Sequence, residues 1–312
     1  MSQPEVRIPG SPVVPAMVDG SHMIQFSCHK GIGCWNACCA NIDISLTPYD
    51  IVRLKKRLGI SSAEFLKEYT VPYELEKDGI AGVKFKPVDG GTACRFMRDE
   101  GCSVYEDRPT ACRYYPVALL SMRKQDEYVD RDSYAIVSEP HCKGHVEKRS
   151  LSIDEYRREQ GVIEYDELAR GWRQLILKKK SSGPTIGKPS LKSRQLFFMA
   201  CYDVDTFRAF VASEGFSRLF KLGDDERRML MDGDVELMLF AFRFLKQVLF
   251  GEQTIGMDEE EAKGRLAKWR ERQMQIEREA AERLARLEEG MYEHTDEGIE
   301  ECLDEGGRCR SD

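Results

Sequence analysis

The sequence predicts a mainly α-helical protein, in which a small, irregular α+β cysteine-rich domain precedes a helical C-terminal region. Three observations lead there. Eight of the 11 cysteines precede residue 150, in stretches broken by glycine and proline, which favour turns over long regular elements. From about residue 152 the apolar residues recur at helical spacing. Residues 258–289 form a long charged run with an apolar seam.

Taken in order, residues 1–23 are expected as a flexible arm, because Pro4, Pro9, Pro12 and Pro15 deny it regular structure. Residues 24–150 form the cysteine-rich domain, whose first cysteines fall in 24–46. A helix follows: Thr47 suits an N-cap, Pro48 the first helical position, Ile51, Val52, Leu54 and Leu58 an apolar stripe, and Gly59 the stop. Ser61 or Ser62 caps a second short helix with Phe65, Leu66 and Tyr69 inward. Residues 70–92 read as extended, with turns at Lys77-Asp78-Gly79 and Asp89-Gly90-Gly91. Residues 93–116 are loop-rich, and 127–137 alternate as a hairpin strand would.

Residues 151–257 form the helical domain, with helices near 152–159, 164–179, 190–200, 203–213 and 224–250. A linker rich in lysine, serine, proline and glycine spans Lys178 to Ser190. Residues 258–290 hold the long charged helix. Ala262, Leu266, Trp269, Ile276 and Ala280 approach a heptad seam that Arg283 breaks. Such a helix packs on its own domain or docks an unknown protein partner. Residues 291–312 are expected as a disordered acidic tail.

Composition narrows the function classes. An apolar content of 41% fills a core, while 32% charged residues and a net charge of −7 describe a soluble chain. That balance gives no basic footprint for nucleic acid. No apolar run is long and charge-free enough to span a bilayer; Val235 to Phe250 carries Arg243 and Lys246. The N-terminus lacks the basic start and apolar core of a secretory signal, so a cytoplasmic location is expected.

In a reducing compartment clustered thiols hold metal more often than they pair as disulfides. The first group is Cys28, Cys34, Cys38 and Cys39, with Gly31 and Gly33 supplying tight turns. The second is Cys94, Cys102 and Cys112, and Cys142 completes eight. Thiolates bind zinc and iron–sulfur clusters because sulfur is soft and charged, and four suffice for one centre. Eight build two sites, or one site with spare thiols, and the spacing does not partition them. Cys34 and Cys38 would share a face if their stretch were helical. The expected centre is an iron–sulfur cluster of the 4Fe-4S type, or zinc. The iron is preferred because the adjacent Cys38–Cys39 pair and the lack of repeated Cys-x-x-Cys suit a cluster.

The run Thr92-Ala93-Cys94-Arg95-Phe96-Met97, then Gly101-Cys102-Ser103-Val104-Tyr105-Glu106-Asp107-Arg108-Pro109 and Ala111-Cys112-Arg113-Tyr114-Tyr115-Pro116, resembles the YkgJ-type cysteine-cluster family. So do Cys34, Cys38-Cys39 and the Ile44–Asp50 string, and the likeness covers about residues 26–146. It implies a zinc- or iron-chelating domain, with ligand roles for Cys34, Cys38, Cys39, Cys94, Cys102 and Cys112, and further ones for Cys28 and Cys142. One branch of the family resembles flagellin lysine N-methylases. A protein-modifying enzyme using the cysteine centre is therefore the alternative reading. The region after residue 150 has no counterpart in the resemblance.

Other residues have two readings each. Arg108 and Arg113 either compensate thiolate charge or pair with Glu106 or Asp107. His29, His141 and His145 are surface or hydrogen-bonding residues more readily than ligands. Tyr105, Tyr114, Tyr115 and Trp35 suit a packing shell. Cys201 falls in an apolar helix and reads as core, while Cys302 and Cys309 lie in the acidic tail. No phosphate-cradling loop, nucleophile elbow or His-Glu-x-x-His helix occurs, so S-adenosylmethionine binding has no motif behind it.

Overall fold

The computed structural model describes residues 13–74, 80–122, 131–181 and 189–300. Eleven α-helices run through the described residues, and every strand longer than two residues precedes Ile153. The mainly α class with a small α+β N-terminal part is therefore what the chain adopts.

The strands are Val13–Val18 (β1), Met23–Gln25 (β2), Ser45–Leu46 (β3), Thr70–Glu74 (β4), Ala81–Phe85 (β5), Met97–Arg98 (β6), Gly101–Cys102 (β7), Val117–Met122 (β8), Arg131–Val137 (β9), Ser150–Ser152 (β10), Phe220–Lys221 (β11) and Gly256–Met257 (β12). They form small antiparallel sheets ordered β1-β9-β8, β3-β5-β4, β10-β2 and β6-β7. The helices are Pro48–Leu58 (α1), Ser62–Tyr69 (α2), Thr110–Tyr114 (α3), Ile153–Glu159 (α4), Val162–Ser181 (α5), Leu191–Tyr202 (α6), Val204–Ala212 (α7), Glu214–Leu219 (α8), Asp224–Asp232 (α9), Asp234–Phe250 (α10) and Glu259–Glu300 (α11).

Local signals set the first helices. Thr47 and Asp50 close a reciprocal capping box on α1, and Gly59 ends it at φ 67°. Ser61 and Glu64 do the same for α2. Gly90 takes φ 72°, and Gly91 N–H donates to Val88 O in the expected turn. The Lys77–Gly79 turn and residues 1–12 lie outside the described residues.

Four expectations are corrected. Residues 13–18, expected within a flexible arm, form β1 on β9; the register shifts between Val14 and Val18, which lets the strand carry Pro15. The helix expected over 224–250 is two helices. Gly233 is extended, Arg208 donates to the carbonyls of Leu230 and Met231 at 2.8 Å each, and the same guanidinium pairs with Asp234. The lysines expected to open a linker at 178 instead finish α5, where cations suit the negative helix end. Finally, α11 runs to Glu300, past the expected start of a disordered tail at 291; no proline stops it, and Glu and Met favour helix. Residues 301–312, with Cys302 and Cys309, lie outside the described residues.

The chain divides into two compact units, Met1–Ser217 with Leu222–Gly256, and Arg218–Lys221 with Met257–Asp312. The cysteine-rich and helical parts, read from sequence as separate domains at 24–150 and 151–257, thus pack as one. The reason is α1, which contacts α5 and α10. Its Lys55 is buried and reaches Asp205 of α7 at 2.7 Å and Asp234 of α10 at 3.1 Å. Two apolar centres result. One gathers Phe26, Tyr114, Val117, Tyr134, Leu151 and Tyr156, with Cys142 packed against it. The other stacks Phe207, Phe210, Phe216, Phe240 and Phe244 among the helices.

Within the second unit, Asp258 N–H donates to Leu219 O, and Lys221 pairs with Asp258. Its long helix α11 carries Glu–Lys and Glu–Arg pairs three and four residues apart. Leu266, Trp269, Met274, Ile276, Leu284 and Leu287 are exposed along it.

Candidate metal centre

Three chain segments meet where the cysteines are. The first, residues 26–44, is a series of tight turns: Ile32 N–H donates to His29 O, Trp35 N–H to Ile32 O, Ala37 N–H to Cys34 O, and Cys39 N–H to Asn36 O. Buried Ile32 anchors it. The stretch is turn and 3₁₀ over Ala37–Cys39, so the helical face imagined for Cys34 and Cys38 does not form. The left-handed residue is Asn36, at φ 64°, and neither Gly31 nor Gly33 has positive φ. Asparagine tolerates that conformation, and its side-chain amide donates to Arg98 O at 2.8 Å.

That last bond lies on the second segment. Cys94 N–H donates to Cys39 O at 2.8 Å, Ile42 N–H to Thr92 O, and Thr92 Oγ1 to Ala40 O. The hairpin β6–β7 then brings Cys102 alongside Met97. Gly101 at its turn has φ 126°, and a Cβ there would stand 3.0 Å from Trp35 Cζ2, so Trp35 lies on a surface that only glycine provides.

Cys112 sits on α3, whose start is held by Asp50. This fully buried carboxylate accepts Thr110 N–H at 2.8 Å and Thr110 Oγ1 at 2.7 Å on one oxygen, and Thr47 N–H at 2.8 Å on the other. The third segment carries Cys142. The next amide, Lys143 N–H, donates to Cys34 Sγ at 3.3 Å, and Ser27 N–H donates to Gly144 O.

All eight predicted cysteines are thus brought into one region, and all are free thiols. Cys28 and Cys38 are exposed, Cys94 is buried, and Cys34, Cys39, Cys102, Cys112 and Cys142 are half-buried. Cys38 and Cys39 Sγ stand 3.9 Å apart. The hydrogen bond from Cys39 lowers Cys38 to about 7, and the same bond, with burial, pushes Cys39 up. Burial raises Cys112, and the charges of Cys94 and Cys102 add to it. Among the described residues no three Cys, His, Asp or Glu side chains already surround a common point at ligating distance.

Residues 27–152 match the family model CxxCxxCC, described as "Putative zinc- or iron-chelating domain". No curated protein and no solved structure matches the chain. In this CxxCxxCC domain the cysteine run is wider than the family's name spells, reading Cys28-x5-Cys34-x3-Cys38-Cys39.

The surroundings of the CxxCxxCC thiols fit a thiolate-bound metal. Arg108 Nε and Trp35 Nε1 are buried N–H donors with no hydrogen-bond partner. Burial raises Cys28 and Cys102 and the Cys39 hydrogen bond lowers Cys38; the Arg108 charge acts on all three in the lowering direction, so it reaches the group. Unpaired buried donors are costly and suit sulfur ligands, whose metals are tuned by such N–H groups. The pairing of the arginines with the Glu106 or Asp107 carboxylate is not the arrangement found. Arg108 donates to Gln160 and lies 4.3 Å over Tyr105, while Arg113 donates to the carbonyls of Arg108, Glu106 and Gln160. Asp107 pairs with Arg53 and Arg57 instead.

The histidines have other partners: His29 with Glu147, His141 with Glu139, and His145 with Val137 O. Tyr114 is buried and donates to Asp166, whereas Tyr105 is exposed. Cys201 is buried in the helical core, as read. Asp50 was missed as a positioning residue. Its signal was an acid at the third helical position, which reads as an ordinary cap until Thr110 arrives from 60 residues away.

Proposed function

We propose that the CxxCxxCC domain holds an iron–sulfur cluster through thiolates drawn from Cys28, Cys34, Cys38, Cys39, Cys94, Cys102, Cys112 and Cys142, with zinc as the competing metal. The observation that carries this is the convergence of three separate segments bearing eight disulfide-free thiols, in a stretch that matches a zinc- or iron-chelating family model. Eight free thiols side by side are otherwise an oxidation liability. Bound there, a cluster supplies one-electron redox chemistry or a structural crosslink, and zinc supplies the crosslink alone. The chain's residues hold it in a basic, partly dry setting: Arg108 balances thiolate charge, Trp35 covers the β6–β7 turn, and Asp50 orients the helix bearing Cys112.

The test is purification without oxygen followed by iron, sulfide and zinc analysis. The expected result is a brown protein with iron and sulfide in comparable amounts. A colourless protein with stoichiometric zinc replaces the iron assignment. A folded protein that takes up neither metal overturns the reading.

A further inference from the structure

We propose that α11 binds a second copy of the chain, the two helices lying antiparallel along their residues 262–287. The metal centre takes no part in this contact.

The apolar stripe is continuous where the heptad is not. At about 100° per residue, Leu266, Trp269, Ile276, Ala280, Leu284 and Leu287 fall within about 80° of arc on one face of the helix. The break at Arg283 is a step of four, from Ala280 to Leu284, where a heptad needs three. Such a stutter locally unwinds a supercoil and keeps the stripe in line on a nearly straight helix. Trp269 is 56% exposed, Ile276 50% and Leu287 64%. An unbroken apolar row about 38 Å long marks a binding surface, unlike single exposed apolar residues.

Size and charge select the partner. With a two-fold axis between Met274 and Gln275, an antiparallel copy sets Trp269 against Ala280, Ala262 against Leu287, Leu266 against Leu284 and Gln273 against Ile276. The largest side chain thus meets one of the smallest. A parallel copy in register sets Trp269 against Trp269 and Ala280 against Ala280, a bulge followed by a gap.

The flanks agree. The antiparallel register brings Arg270 opposite Glu277 and Arg272 opposite Glu279, each twice by symmetry. Lys263, Arg265 and Arg278 pair with glutamates three or four residues away on their own helix. Arg270 and Glu277 have no charged residue at those distances, so their charges are left for a partner. Arg265, which this register sets near Arg286, is already held by Glu261 at 2.8 Å. A parallel copy would instead bring Arg270 beside Arg265.

The test is sedimentation equilibrium of the full chain over a concentration series, without oxygen and with reductant, so that disulfide-linked dimers do not form. The wild type is expected to show a reversible monomer–dimer equilibrium, and W269E to abolish it. R270E and E277R each turn two attractions into repulsions, and each alone should weaken the dimer about tenfold. An equimolar mixture of R270E and E277R should regain wild-type affinity, because every cross-chain pair is then of opposite charge. Both positions are exposed, and circular dichroism confirms that the helix is kept.

A wild type that stays monomeric at every concentration overturns the proposal. So does a dimer that W269E leaves intact, since it lies on another surface. A dimer that R270E tightens, or a mixture no tighter than either variant alone, overturns the antiparallel arrangement.

Discussion

Replacing Asp50 by alanine removes three hydrogen bonds at once from a carboxylate that water does not reach. Thr47 loses its capping-box partner, and an intact N-cap is worth about 1 kcal/mol. Thr110 N–H and Oγ1 lose a charged acceptor, and such bonds contribute about 1.5–3 kcal/mol each on truncation. Against this, burial pushes the Asp50 carboxyl up, so its deletion recovers a desolvation cost. The terms share one side chain and do not add, so we expect a net loss of about 2–4 kcal/mol. Urea denaturation of metal-free D50A beside wild type reads it. D50N should fall between, because its amide oxygen still accepts from Thr110 while its NH₂ opposes Thr47 N–H. A D50A loss below about 1 kcal/mol would refute the assignment of Asp50 as the tie between α1 and α3. Because α3 carries Cys112, D50A should also lower metal per chain.

Three further outcomes are expected. In metal-free protein at neutral pH, iodoacetamide should modify Cys38 first, since it is exposed and drawn to about 7, ahead of buried Cys94 and of Cys39 and Cys112, whose thiols are pushed up; peptide mass spectrometry gives the order, and any of those three reacting before Cys38 would refute it. G144A should cost about 1–3 kcal/mol in urea, because its methyl overlaps the Phe26 ring; an unchanged midpoint would mean that the ring moves freely. Asp205 is desolvated, yet bonds from Lys55 and Ser62 hold its carboxyl below the ordinary 3.8. Its folded value is therefore the lower one. The stability it lends is present above pH 3.8 and lost as pH falls through that depressed value. D205N should be less stable at neutral pH and shallower in its acid limb, and equal slopes would dispose of the idea.

What the sequence made legible was local. Thr47, Pro48 and Gly59 bracket α1 to the residue, and Ser61 opens α2, because a cap involves groups three positions apart. The cysteines were visible as chemistry because thiols in such density are rare. What stayed hidden depended on distant partners. Pro15 argued for irregular chain, but β9 offered an edge with a register shift that accommodates it. Residues 224–250 read as one apolar helix, yet Arg208 of α7 ends α9 by taking its carbonyls. Nothing local to α1 marks Lys55, and two aspartates from α7 and α10 make it a buried tie. The roles of Arg108 and Arg113 were set by Gln160, on the far side of the boundary drawn at residue 150.

The bond from Lys143 N–H to Cys34 Sγ spans 109 residues. During synthesis, at about 5–20 residues per second, the first four sulfurs would therefore leave the ribosome roughly 5–20 s before the segment that completes their surroundings. In that interval the nascent chain is a soft-ligand trap, open to copper or to peroxide. Timed alkylation of stalled chains ending before and after residue 143 would measure how long the vulnerability lasts.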